Sequence, residues 1–240
     1  MINLLEDYIA QSLPQWEESG ADSSGEREKK LRFFETNPNL RKKVSGRTFL
    51  PFYGNTTVFM LDDAVKHALE GYQRELYEKA GWMLSEKLKP ETFHMTLHDL
   101  VNSPVRDAAL EQKMEQAERN AKSILAQWKG QPPLRMKTTW LFNMMNTSIV
   151  LGLAPADEEN RKRLSEMYMA LETVVPLGYR LTPHITMAYY RPGTYTVYDV
   201  DCLRKALHPV ELEVVLSMEQ LVFQNFYHMN AYTEGPLPPV

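Results

Sequence analysis

Histidine is the side chain whose ordinary pKa, about 6.5, lies closest to neutrality, so a histidine that recurs in a pattern marks a place where protons can be moved. Two short stretches carry such a pattern: Phe93-His94-Met95-Thr96-Leu97 and Pro183-His184-Ile185-Thr186-Met187. A β-strand turns successive side chains to opposite faces, so residues at i and i+2 point the same way. Each stretch therefore sets an imidazole beside a hydroxyl: a proton carrier next to a hydrogen-bond donor suited to a phosphoryl oxygen. With 6 His among 240 residues, random placement supplies about 0.4 His-x-Thr triplets, so context must decide. Both triplets have apolar neighbours and read as strand, and they fall in opposite halves of the chain. One acid–base site built from two halves is the expectation.

Paired His-x-Thr motifs, one per half, resemble the signature of the two-histidine phosphoesterases, a group that includes RNA 2′,3′-cyclic phosphodiesterase/2′-5′ ligase-like proteins. The resemblance spans about residues 46–230, and its specific match is confined to the two motifs. The segment from Gly46 through Tyr53-Gly54-Asn55-Thr56-Thr57 is similar, more weakly, to the opening strand of a less characterised branch. The resemblance implies an α+β, bilobal fold with pseudo-twofold symmetry: two mainly antiparallel sheets face a central cleft, and helices pack outside. It also implies His94 and His184 as catalytic base and acid, in an order left open, and Thr96 and Thr186 as phosphate-binding donors. The implied substrate is a nucleotide-derived cyclic phosphodiester or an RNA-terminal or 2′-5′ phosphate, with no cofactor and no metal. Two rivals stand beside this reading: a non-catalytic nucleotide-binding module using the same cleft, and an unrelated α+β protein whose motifs are structural.

The elements that must position these residues can be read along the chain. Residues 1–45 are charged and mostly helical in pattern, broken by Gly20 to Gly25. Their basic clusters (Arg27, Lys29, Lys30 and Arg41, Lys42, Lys43) read as solvated helix faces. A strand follows Tyr53-Gly54 as Asn55 to Leu61. Asp62-Asp63 then stands where a helix N-cap is wanted, ahead of Val65, Leu69, Tyr72 and Leu76 at helical spacing. The first motif strand covers about 92–100, and a helix follows over 106–128 behind Ser103-Pro104. A hairpin is expected over 134–142 and 147–153, turning at Asn143 to Asn146. Asp157 introduces a helix with Leu164, Met167, Tyr168 and Leu171 on one face. The second motif strand runs over 180–190 to Pro192-Gly193. A short helix near 199–207 and strands near 211–217 and 219–228 complete the order. Strands interleaved with helices fit an α+β protein. The division is an N-terminal helical extension, 1–45, and one bilobal domain, 46–240.

Composition sets bounds. A chain of 240 residues, 43% hydrophobic and 24% charged, can bury a full core. One cysteine, Cys202, allows no internal disulfide and fits a reducing compartment. Without a basic leader or a membrane-length apolar run, the expectation is a cytoplasmic protein with no membrane partner. A net charge of −4 argues against a duplex DNA binder but leaves room for a small nucleotide or an RNA end. Oligomeric state is not encoded in any feature of the chain.

Further candidates line up by parity and proximity. His98 shares strand parity with His94 and Thr96, and Tyr190 shares it with His184. Arg191 could hold a phosphate, and Tyr53 could stack on a base; packing or surface placement is the plainer reading for each. His94 and His98 have the spacing of a helical metal pair, but on a strand their Cα atoms lie about 13 Å apart. No glycine-rich phosphate loop, His-Glu-x-x-His or Gly-x-Ser-x-Gly occurs.

Overall fold

The computed structural model describes residues 34–238. The cluster Arg27, Lys29, Lys30 and the helical pattern read for 1–33 lie outside them. In chain order the strands are β1 (Phe34–Glu35), β2 (Val44–Ser45), β3 (Thr48–Phe49), β4 (Tyr53–Met60), β5 (His94–Ser103), β6 (Leu134–Met144), β7 (Ser148–Pro155), β8 (His184–Tyr189), β9 (Thr194–Tyr195), β10 (Glu213–Leu216), β11 (Leu221–His228) and β12 (Ala231–Thr233). The α-helices are α1 (Asp63–Ala80), α2 (Ala108–Ala126), α3 (Glu158–Glu172) and α4 (Val197–Arg204).

Eight strands form one curled antiparallel sheet in the order β10-β6-β7-β8-β5-β4-β11-β12. Each motif strand stands at the inner edge of a four-stranded half: β8-β7-β6-β10 on one side, β5-β4-β11-β12 on the other. The halves mirror one another about the seam, as the pseudo-twofold α+β expectation has it. They are continuous because β5 and β8 pair, through one position, Met95 opposite Ile185. Met95 and Ile185 are buried, whereas His94, Thr96, His184 and Thr186 are half-buried on the opposite face, the alternation expected of a strand. β7, flanked on both sides, reads Ile-Val-Leu-Gly-Leu and is buried throughout that run, the mark of an interior strand.

Helices pack on the sheet through their apolar stripes: α2 against β4, β5 and β11, α3 against β5, β6 and β7, and α1 against β8 and α4. Their starts are fixed by side-chain caps. Asp62, Asp107 and Asp157 each accept a backbone N–H from the first turn at 2.8–2.9 Å. Thr196 and Asp199 close a reciprocal capping box. Leu164, Met167, Tyr168 and Leu171 are all buried, as their spacing predicts. Between β6 and β7, Met145 and Asn146 both take positive φ, the left-handed pair that lets a tight turn follow strand twist.

Residues 34–45 differ from the helical extension expected there. They form β1, a short 3₁₀ turn over Pro38–Lys42 and β2, and they bury Phe34, Leu40 and Val44 in the core. β1 pairs with β9, so this segment is stitched to the second half of the chain. Pro38 at the start of the turn and the apolar Leu40-x-x-x-Val44 spacing explain why a charged run folds inward rather than standing as a solvated helix.

Both motif strands carry a bulge just past the threonine. On β5, Thr96 pairs with Val58 but His98 pairs with Thr57. On β8, Thr186 pairs with Val150 but Ala188 pairs with Ile149. One extra residue enters each strand, Leu97 in one and Met187 in the other, and the side-chain phase slips by one. Two buried residues in succession mark each slip: Leu97-His98 and Met187-Ala188. Side chains of β4 support the irregular β5 ladder. Thr56 and Thr57 hydroxyls both donate to the His98 carbonyl, at 3.1 and 3.2 Å, and Asn55 Oδ1 accepts the Val101 N–H at 3.1 Å.

Candidate active site

His94, Thr96, His184 and Thr186 line one cleft of about 720 Å³. With Met95 opposite Ile185 in an antiparallel pair, the flanking residues oppose as His94 with Thr186 and Thr96 with His184. Directly opposed side chains on one face sit about 4.5–5.5 Å apart at Cβ. Four side chains therefore converge at the seam, one imidazole and one hydroxyl from each half.

The two imidazoles are held identically. His94 Nδ1 lies 2.7 Å from the Thr92 carbonyl oxygen, and His184 Nδ1 lies 2.6 Å from that of Thr182. A carbonyl only accepts, so each Nδ1 carries the proton and donates. The neutral ring then has its lone pair on Nε2, the nitrogen left for the cleft. Each ring keeps some surface open to the cleft but is otherwise surrounded by protein. That burial pushes the His94 pKa down to about 4, with the Thr92 carbonyl and the Asp99 carboxylate pulling upward and His184 pushing further down. Burial lowers His184 as well, opposed by the Thr182 carbonyl and by Asp99. A bound phosphate would supply the negative charge that returns a proton to one of them.

The bulges decide what else reaches the cleft. Beyond each slip Asp99 and Tyr189 take the face of the motif residues, and both line the cleft. His98 correspondingly turns away: its ring is buried, Nε2 lies 3.0 Å from Glu172 Oε1, and it packs against Tyr168 of α3 at 5.1 Å. It still contributes to the cavity lining, together with Tyr168. Tyr190 is fully buried against Phe34, ring centroids 5.0 Å apart, and does not line the cleft. Strict parity from His184 predicts the reverse for Tyr189 and Tyr190, and the extra residue at Met187 is the reason. Arg191 is exposed and off the cleft, engaged through its backbone with Met83 and Tyr195. Tyr53 stands at the outer start of β4 with Arg106 over its ring, also off the cleft.

Sequence reasoning missed the cleft's aromatic wall and its charges. Tyr232, on the short β12, meets the His94 ring edge-on at 5.0 Å, and Phe226, Tyr168 and Tyr179 add further wall. Burial raises the Tyr189 and Tyr232 hydroxyls, which stay protonated as donors. Asp99 is the one carboxylate among the described lining residues, and its charge acts on both imidazoles. Lys43, read in the sequence as part of a solvated basic run, lines the cleft, as does Arg180. Only the alternation of buried and charged residues around Leu40 and Val44 hints at this. No group of three or more His, Cys, Asp or Glu that could hold a metal gathers among the described residues, and no helix among them is long and apolar enough to cross a membrane.

No family model matches the sequence, and no curated protein matches it. Solved structures do. A conserved protein of unknown function from Agrobacterium tumefaciens, ATU0111, superposes with a TM-score of 0.57 at 17% identity, over 84% of this chain and 93% of that one. TT0787 of Thermus thermophilus gives 0.48 at 15% identity, over 75% and 93%. LigT of Escherichia coli in its apo form gives 0.44 at 14% identity, over 76% and 94%. What this chain shares with ATU0111 is its fold, and that architecture is the one the two-histidine phosphoesterase resemblance implies.

Proposed function

We propose that the protein is a phosphoesterase of the two-histidine type, opening a nucleotide-derived cyclic phosphodiester or an RNA-end or 2′-5′ phosphodiester without a metal ion. The observation that carries this reading is the seam itself, where two identically tethered imidazoles and two hydroxyls converge on one cleft. In the step proposed, a neutral imidazole takes a proton from water at Nε2 while the water oxygen attacks phosphorus. The bond from phosphorus to the leaving oxygen breaks, and the other imidazole, protonated, gives its Nε2 proton to that oxygen. His94 suits the base, since burial above all, and the neighbouring His184 as well, disfavour its protonation; His184 then suits the acid. Thr96 and Thr186 donate to the non-bridging oxygens as charge builds on them. General acid–base help of this kind is worth about 10²–10⁴-fold.

The test is hydrolysis, with chelator present, of 2′,3′-cyclic nucleotides, 3′,5′-cyclic nucleotides, 2′-5′-linked dinucleotides and ADP-ribose 1″,2″-cyclic phosphate. Turnover that survives chelator and disappears in His94→Ala and His184→Ala supports the reading; a folded wild type inert on every compound defeats it. A non-catalytic nucleotide-binding module is the second reading. The lowered basicity of both imidazoles favours it, because burial disfavours the protonated acid that the step above requires. It predicts thermal stabilisation by a mononucleotide with no turnover.

A further inference from the structure

One charged group of the cleft has no part in the chemistry above. Lys43 Nζ lies 4.9 Å from the centroid of the Phe52 ring and 6.0 Å from that of Tyr189. Among the described residues the ammonium makes no hydrogen bond or ion pair. Burial lowers its pKa, and the Asp99 charge pulls the other way. Lys43 is half-buried, and a partly desolvated cation that forms no ion pair carries a cost that a nearby charge and ring faces recover only in part. Arg180, the other basic side chain of the lining, is exposed and bears no such cost.

We propose that Lys43 anchors a second phosphate of the substrate, about one ribose away from the diester held by the two His-x-Thr pairs. The inference rests on the cleft's taking a phosphodiester, as proposed above. Position argues for a second phosphate rather than the reacting one. Tyr189 pairs with Ser148 and Thr186 with Val150, two residues apart on β7, so Tyr189 stands about 7 Å along the strand from Thr186. Lys43 Nζ stands 6.0 Å from the Tyr189 ring and closer still to that of Phe52. A nucleoside that carries a 2′,3′-cyclic phosphate and a 5′-phosphate places its two anions at a comparable separation. The aromatic wall then meets the sugar and base, which need stacking rather than charge.

Binding is the measurement, by calorimetric titration with chelator present. The probes are the 2′,3′-cyclic phosphates of adenosine, guanosine, cytidine and uridine, each with and without a 5′-phosphate. Wild type binds at least one 5′-phosphorylated member at least tenfold more tightly than its unphosphorylated counterpart. Lys43→Met reduces that ratio to within threefold, and Lys43→Arg keeps most of it. Absence of the preference in wild type, or its survival in Lys43→Met, overturns the proposal. Should Lys43→Met not fold, Lys43→Gln carries the same comparison. Turnover is scored separately. A protein that shows the preference and hydrolyses nothing keeps the anchor and loses the phosphoesterase reading, whereas hydrolysis without the preference does the opposite.

Discussion

Met95 and Ile185 face each other across the seam of the sheet, and each is the middle residue of a His-x-Thr triplet. The pairing puts the symmetry axis of the fold through the candidate site. It also sets each imidazole opposite the other half's threonine, so neither half holds a complete site. A phosphoryl group at the axis meets a donor and a proton carrier from both directions.

His94→Ala and His184→Ala should each lower kcat by about 10²–10⁴-fold. The double variant should fall little below the worse single one, since the two act in one step. Single-turnover assays read the first effect, and melting temperatures close to wild type show that the fold is kept.

Stability should depend on pH through His94. Its folded value, about 4, lies below the unfolded value near 6.5, so the native state binds fewer protons between them. The stabilisation is present above about 6.5 and is lost as pH falls toward about 4. Urea midpoints at pH 7.5 and 5 should drop more for wild type than for His94→Gln. Equal drops would show that the imidazole is not held neutral.

Asp99 pulls both imidazoles upward, so Asp99→Asn should move the basic limb of the kcat/KM profile to lower pH. The kcat profile, which reports the substrate complex, should lie at higher pH than kcat/KM in both proteins, because bound phosphate favours the protonated ring. A pH series on a single substrate reads both shifts.

Thr96→Val and Thr186→Val keep the shape of the strand and remove one donor each. A loss of about 10²–10³-fold in kcat is expected for either, the size seen when one preorganised donor is removed. Serine at the same positions should restore most of it. Valine variants that match wild type would assign the hydroxyls to packing alone.

Gly54 is a test of the scaffold rather than of the chemistry. A Cβ there would stand 2.4 Å from the Val101 carbonyl oxygen and 2.6 Å from Phe226 Cζ. Gly54→Ala should cost about 1–3 kcal/mol of stability, measured by urea unfolding.

Within each triplet the period of two held, because three residues are too few for a strand to lose phase. That is why His94 with Thr96, and His184 with Thr186, could each be set on one face from residue order, while the doubling of the motif pointed to a shared site. Past the threonine the rule failed, and it failed twice in the same way. Leu97 and Met187 are ordinary apolar strand residues; what makes them bulges is their register against β4 and β7, which is a long-range property. Strand parity alone makes His98 and Tyr190 candidates for the face of the motif residues, and Asp99 and Tyr189 occupy that face instead. Helix starts at Asp62 and Asp157 were readable because capping is a local contact. The β1–β9 pair and β12 were not, since strands of two or three residues take their identity from a distant partner. Lys43 escaped notice for a related reason: its segment is charged, and only the burial of Leu40 and Val44 around it turns the side chain inward.

The two motif strands pair at one position, but the halves are also bound across the seam by their helices. α1, which precedes β5 in the chain, packs on β8, and α3, which precedes β8, packs on β5. Gln73 of α1 donates to the Met187 carbonyl beside one bulge, and Glu172 of α3 meets the His98 ring beside the other. Each helix therefore braces the motif strand of the opposite half. A change on the outer surface of one half is carried to the histidine and threonine of the other.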